Sequence, residues 1–178
     1  VFAAGDRRDS YGGFDLYFSE YINGQFTPPI NMGNRINTRA RDRQPSLSGD
    51  GKYLYFESAR PSGLGGGDIW VSERQSDGSW GNPKNLGATI NTSADDQSPF
   101  IHADGKTLYF MSKGHPGMGG FDLFVSRKQV DGSWSEPKNI GYPINTKANE
   151  GALFVSLNGR TAYYTSNQQP PEYGGRED

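Results

Sequence analysis

Cysteine is absent from the 178 residues, which excludes disulfides and thiolate metal sites. It does not fix the compartment, since reducing cytosol and periplasm both accommodate a Cys-free chain. No apolar run approaches the roughly 20 residues needed to span a bilayer. Neither sign of charge dominates: 18 Lys and Arg against 20 Asp and Glu leave a formal net charge of −2. A basic footprint for nucleic acid is therefore missing, and so is any like-charge tail. Only two histidines occur, His102 and His115, and they share no visible set of partners. No nucleophile elbow, P-loop or metal-protease motif is present. No leader is visible at Val1, although the chain opens in mid-pattern, as it would after removal of an upstream segment.

Hydrophobic residues reach only 33% and lean on aromatics, with 10 Tyr, 10 Phe and 3 Trp beside 25 Gly and 11 Pro. Gly and Pro penalise helix interiors by about 1 and 3 kcal/mol. Aromatics suit a pleated, half-buried surface, and Gly/Pro clusters suit the turns between strands. The composition predicts an all-β fold.

A repeat organises these residues. Asp50-Gly51-Lys52, Asp104-Gly105-Lys106 and Asn158-Gly159-Arg160 recur at intervals of 54. Ile36-Asn37-Thr38, Ile90-Asn91-Thr92 and Ile144-Asn145-Thr146 keep the same step, as do Phe26, Trp80 and Trp134, and Gly33, Gly87 and Gly141. A Gly-Gly-x-Asp element ends at Asp15, Asp68 and Asp122, and a further copy begins at Gly174-Gly175. Within one period the pattern predicts strands over 44–48, 53–58, 68–74 and 79–86, joined by an Asp-Gly turn, a Gly-rich loop and a second Asp-Gly turn. Four strands in a meander make one propeller blade. The second and third strands are apolar at successive positions, as suits strands covered on both faces. Each fourth strand carries proline (Pro28 or Pro29, Pro83, Pro137), which belongs on an edge, so the Trp-bearing strand is placed outermost. The inner strands then lie near 44–48, 97–102 and 151–156 of one partial propeller spanning 1–178. About three blades fit, where propellers have roughly four to eight. Further blades, from a longer chain or from another copy, are expected to close the ring.

The motifs Pro45-Ser46-Leu47-Ser48-Gly49-Asp50-Gly51-Lys52, Tyr55-Phe56-Glu57-Ser58 and Asp68-Ile69-Trp70-Val71 resemble the TolB-like propeller repeat. Pro99, Asp104-Gly105-Lys106, Tyr109-Phe110-Met111-Ser112 and Asp122-Leu123-Phe124-Val125 repeat the match. The third copy departs from it, with Leu153 for the proline and Asn158 for the aspartate. The added Trp-x-x-Pro-x-Asn-Leu/Ile-Gly-x-x-Ile-Asn-Thr stretch resembles a subgroup in envelope proteins of Bacteroidetes-type bacteria, beside tetratricopeptide and OmpA-like domains. That resemblance implies a periplasmic or outer-membrane scaffold.

Asp50, Asp104 and Asn158 read as hairpin-turn residues. Asp15, Asp68 and Asp122 read as acceptors of backbone N–H bonds across the Gly-rich loops, with a calcium site as the alternative. Asp42, Asp96 and Glu150 occupy one position before each inner strand. In a closed ring they would stand near one channel mouth, able to hold a cation or receive a basic peptide, unless they only cap the connecting loop. Trp80 and Trp134 suit packing between blade edges better than sugar platforms. Asn37, Asn91 and Asn145 are expected to bond backbone in the crossovers.

No catalytic residue and no metal site is assigned. The leading expectation is a non-catalytic binding or scaffolding module for a protein or peptide. The alternatives are a carbohydrate-binding or glycoside-hydrolysing propeller, whose only candidate carboxylates are Asp42, Asp96 and Glu150, and a gating propeller of a hydrolase domain.

Overall fold

A computed structural model describes residues 2–168. The Gly174-Gly175 copy lies outside them. Every regular element among the described residues is a strand. The first sheet contains β1 (Phe2–Gly5), β2 (Asp15–Phe18) and, after a small hairpin of β3 (Tyr21–Ile22) and β4 (Gln25–Phe26), β5 (Ile30–Asn31). Two four-stranded antiparallel sheets follow. One is β6 (Asp42–Leu47), β7 (Tyr53–Ser58), β8 (Asp68–Glu73) and β9 (Lys84–Asn85). The other is β10 (Asp96–Ile101), β11 (Thr107–Ser112), β12 (Asp122–Arg127) and β13 (Lys138–Asn139). A pair, β14 (Glu150–Val155) with β15 (Ala162–Ser166), begins the next. Spatial order equals chain order in both complete sheets, so each is a meander.

Alternation along the strands explains the stacking. In β7, Leu54 and Phe56 face one way and join Leu16, Ile36 and Trp70 in one core. Tyr55, between them, faces the other way and joins Ile69, Ile90, Ile101, Leu108, Phe110 and Phe124. A third core gathers Leu123, Leu153 and Val155. The apolar material thus lies between sheets, and each fully buried Phe contributes about 1.5–3 kcal/mol of hydrophobic stabilisation.

Backbone bonds lace the sheets together. Asp42 N donates to Phe14 O (2.7 Å), Asp96 N to Gly67 O (2.8 Å) and Glu150 N to Phe121 O (2.8 Å). Each inner strand is thereby tied to the Gly-rich loop of the preceding sheet.

Two features differ from the sequence expectation. The continuous fourth strand over 79–86 is broken: Trp80 makes an isolated bridge to Arg74, and pairing resumes only at β9. Pro83, with no N–H, stands in the gap. The inner strands are also bulged, with register shifts between Arg43 and Ser46, Gln97 and Phe100, and Gly151 and Phe154. The residues at the bulges, Gln44, Ser98 and Ala152, take positive φ of 55°, 50° and 46°. Such non-glycine conformations cost on the order of 1 kcal/mol or more and recur near functional surfaces.

Candidate functional site at the inner strands

In an antiparallel meander the connections alternate ends. The turns at Asp50 and Asp77 share one end, while the Gly-rich loops and the crossovers between sheets share the other. Asp50 Oδ1 accepts from the Ser48 hydroxyl (2.6 Å) and Lys52 N (3.1 Å). These donors hold its pKa below the usual 3.8, the Ser48 hydroxyl most strongly. For Asp104, burial is the largest single influence and opposes ionisation. Donors from Lys106 N and from the hydroxyl and N–H of Thr107 nonetheless bring its pKa down to about 2. Asn158 Oδ1 takes the same role, accepting from Ser156 and from Arg160 N. Only the glycines, Gly51, Gly105 and Gly159, adopt positive φ in these turns.

At the opposite end, Asp42, Asp96 and Glu150, expected to offer their carboxylates to a ligand, are all three buried. Thr38 donates its N–H (2.7 Å) and hydroxyl (2.8 Å) to Asp42 Oδ2. Thr92 makes the same pair to Asp96 Oδ2 (2.5 and 2.8 Å), and Thr146 does so to the Glu150 carboxylate (3.0 and 2.7 Å). Each carboxylate bolts the Ile-Asn-Thr loop to the start of an inner strand, and those donors offset its lost hydration. The second oxygen differs between repeats. Arg60 Nη2 donates to Asp42 Oδ1 and to Ile36 O, both at 2.8 Å, with its guanidinium over Phe56 and Trp70. His115 replaces it one repeat later, with Nε2 2.9 Å from Ile90 O and its ring against Phe110 and Phe124. Asp96 Oδ1 is left buried without a hydrogen-bond partner, and burial raises that carboxyl's pKa.

The Gly-Gly-x-Asp carboxylates are buried as well. Asp68 accepts from Leu64 N (2.5 Å), Gly65 N (2.9 Å) and Asn85 Nδ2 (2.6 Å). Asp15 accepts from Tyr11 N and Asn31 Nδ2, and Asp122 from Met118 N and Gly119 N. Surroundings made of donors are the reverse of what a cation needs. Among the described residues no group of three acidic or histidine side chains converges on a metal position. Asn37, Asn91 and Asn145 each exchange two bonds with the backbone of one residue, Leu16, Ile69 and Leu123, completing the third strand of their own sheet. Trp80 and Trp134 lie edge-on to Phe2 and Tyr55, with centroids 6.1 and 6.2 Å apart, at the blade edges.

Where the inner strands converge, a cleft with aromatic rings lies next in the chain to partly exposed arginines. The three bulges line one cleft of about 350 Å³, formed by Gln44–Ser46, Ser98–Phe100 and Ala152–Phe154. Phe154 is 53% exposed there and packs 5.2 Å from Phe100. Side chains stitch two of the strands: Ser98 N donates to Gln44 Oε1 (2.9 Å) and Ile101 N to Ser46 Oγ (3.0 Å). Beside the cleft, at the loop end, Glu57 is fully buried and receives Arg41 Nε (3.1 Å) and Arg43 Nε (2.7 Å). Burial outweighs both guanidiniums and raises the Glu57 pKa. Arg41 and Lys113 also approach Asp95 at 3.6 and 3.8 Å. Sequence reasoning passed over this cluster because it sought features shared by the repeats. Its signal is a departure from the repeat: the position of Glu57 holds Met111 and Thr165 in the other copies.

A larger cavity of about 630 Å³ lies between Met118, Tyr142, Lys147, Asn149 and Gln168. At the position equivalent to Gln168 one repeat earlier, Gly114 packs on Thr92.

No family model and no curated protein matches the chain. Solved structures do. Over 93% of its length it is similar to a putative TolB from Agrobacterium tumefaciens, covering 54% of that chain, with a TM-score of 0.52 at 20% identity. An alpha-L-arabinofuranosidase from Lactobacillus brevis matches 86% of the chain (55% of its own), with a TM-score of 0.54 at 15% identity. The periplasmic gluconolactonase PpgL of Pseudomonas aeruginosa matches 93% of the chain (46% of its own), with a TM-score of 0.51 at 11% identity. The chain spans about half the length of these structures. Likeness at this identity shows the fold: a partial β-propeller of about three blades.

Proposed function

We propose that this propeller segment is a non-catalytic binding module of the bacterial cell envelope, taking a protein or peptide partner along the inner-strand face. The observation that carries the reading is the division of labour among polar groups. The acidic side chains repeated at Asp42, Asp96 and Glu150 are consumed in bolting loops, whereas the exposed face offers Phe100, Phe154 and the arginines beside Glu57. Apolar rings beside guanidiniums are the residue types that anchor protein interfaces. The envelope assignment draws on the repeat motifs and on the likeness to a putative TolB and to a protein described as periplasmic.

Two measurements test it. A panel of glycosides and peptides should show no turnover, and activity that disappears in Asp96→Asn or Glu150→Gln would refute the non-catalytic reading. On a peptide array, Phe154→Ser should weaken capture about tenfold. Val130→Ser, on an outer turn, should leave it unchanged. Equal effects of the two substitutions would remove the inner-strand face from consideration.

A further inference from the structure

Arg43 pairs across the sheet with Glu57, and the register-equivalent pairs in the next two repeats are Gln97 with Met111 and Gly151 with Thr165. The fold therefore builds this position without charge. In the second repeat an apolar filler suffices, with Met111 sulfur lying over Gly151. A buried carboxylate gripped by arginines gives little stability over apolar packing, so stability alone does not account for it. Its geometry does other work. By accepting from the Nε of both arginines, Glu57 fixes the planes of two guanidiniums whose side chains remain 36% and 30% exposed. Arg41 is further engaged by Gly66 O and Asp95. Arg43 spends only its Nε–H, and both terminal nitrogens are without partner among the described residues. The next residue along the chain, Gln44, lines the cleft that holds Phe100 and Phe154.

We infer that Arg43, held by Glu57, is a carboxylate-recognition site for an acidic side chain of an extended peptide whose apolar neighbour enters the Phe100–Phe154 cleft. A planar, two-oxygen acceptor matches the outer edge of a pre-oriented guanidinium, and a carboxylate has that shape. The inference rests on the peptide-binding reading above and specifies its chemistry. It also reverses the sign of the partner expected from the sequence: the three acidic residues thought to greet a basic peptide are buried, whereas the side chains gripping Glu57 are partly exposed arginines.

The test uses two acetylated, amidated peptides, Gly-Glu-Phe-Glu-Gly and its isostere Gly-Gln-Phe-Gln-Gly, titrated into ¹⁵N-labelled chain. The acidic peptide should bind about tenfold more tightly and should shift the Arg43 Nε–H resonance. Arg43→Gln should abolish the preference. Glu57→Met, which installs the residue found in the next repeat, should retain the circular dichroism of the fold while reducing the preference several-fold. Equal binding of the two peptides, or a preference that survives Arg43→Gln, overturns the site. So does inorganic phosphate displacing the acidic peptide at equal concentration. If both peptides bind equally and Phe154→Ser abolishes both, the carboxylate site falls and the inner-strand face stands. Binding of neither overturns both.

Discussion

Asp42 and Asp96 hold the same place in consecutive repeats and keep different company. Asp42 faces Arg60, whose side chain is only 10% exposed, so Asp42→Asn leaves a buried guanidinium beside an amide. A loss of about 3–5 kcal/mol is expected from denaturant unfolding. Asp96 lacks that cation, and its unpartnered Oδ1 makes Asp96→Asn the milder change, within about 1 kcal/mol of wild type at neutral pH. The pH dependence follows from the raised pKa of Asp96. Burial lifts it above the ordinary 3.8 against the opposing pull of Ser112, Thr92 and His115. Between 3.8 and the folded value, the native state holds a proton that the unfolded chain has released. Stability from this group is therefore greatest below 3.8 and is lost as pH rises through that window. Urea titrations from about pH 3 to about pH 7 should show wild type losing ground to Asp96→Asn as pH rises. A constant difference would contradict the assignment. The burial of these carboxylates was legible in retrospect: Thr38, Thr92 and Thr146 stand four residues before each of them. Read alone, a repeated acid suggests solvent. Read with its threonine, it is half of a loop bolt.

At the level of strands and loops, the second and third strands of each blade follow directly from their runs of Tyr, Leu, Phe and Ile, and the turns from their Asp-Gly pairs. The bulges do not. Gln44, Ser98 and Ala152 have no intrinsic taste for positive φ, and only the prolines after the first two hint that the ladder is interrupted there. The Gly-rich loops carry a reason that composition hides. A Cβ on Gly65 would lie 1.9 Å from Ala94 O, on Gly119 2.3 Å from Ala148 O, and on Gly12 2.4 Å from Ala40 O. These glycines let one loop lie directly on the crossover leading to the next sheet. Gly65→Ala is expected to cost about 1–3 kcal/mol by forcing that backbone apart. Gly13→Ala, where nothing lies within 4 Å, should be close to neutral in the same thermal melt. Comparable losses at both would mean that backbone freedom, rather than contact, is what the glycines supply.

For the molecule as a whole, stability resides between sheets, and each sheet answers chiefly to its neighbours. Hydrogen exchange should be slowest in β7, β8, β11 and β12, whose residues are mostly buried, and fastest in the β3–β4 hairpin and β15, whose residues are exposed. Uniform protection across all sheets would argue for one indivisible cooperative unit. The N–H groups of Asp42, Asp96 and Glu150 all reach back to carbonyls that precede them, at Phe14, Gly67 and Phe121. On the ribosome, then, every acceptor has already emerged when its donor appears. The protein can be assembled in the order in which it is made, each finished layer serving as the mould for the one that follows.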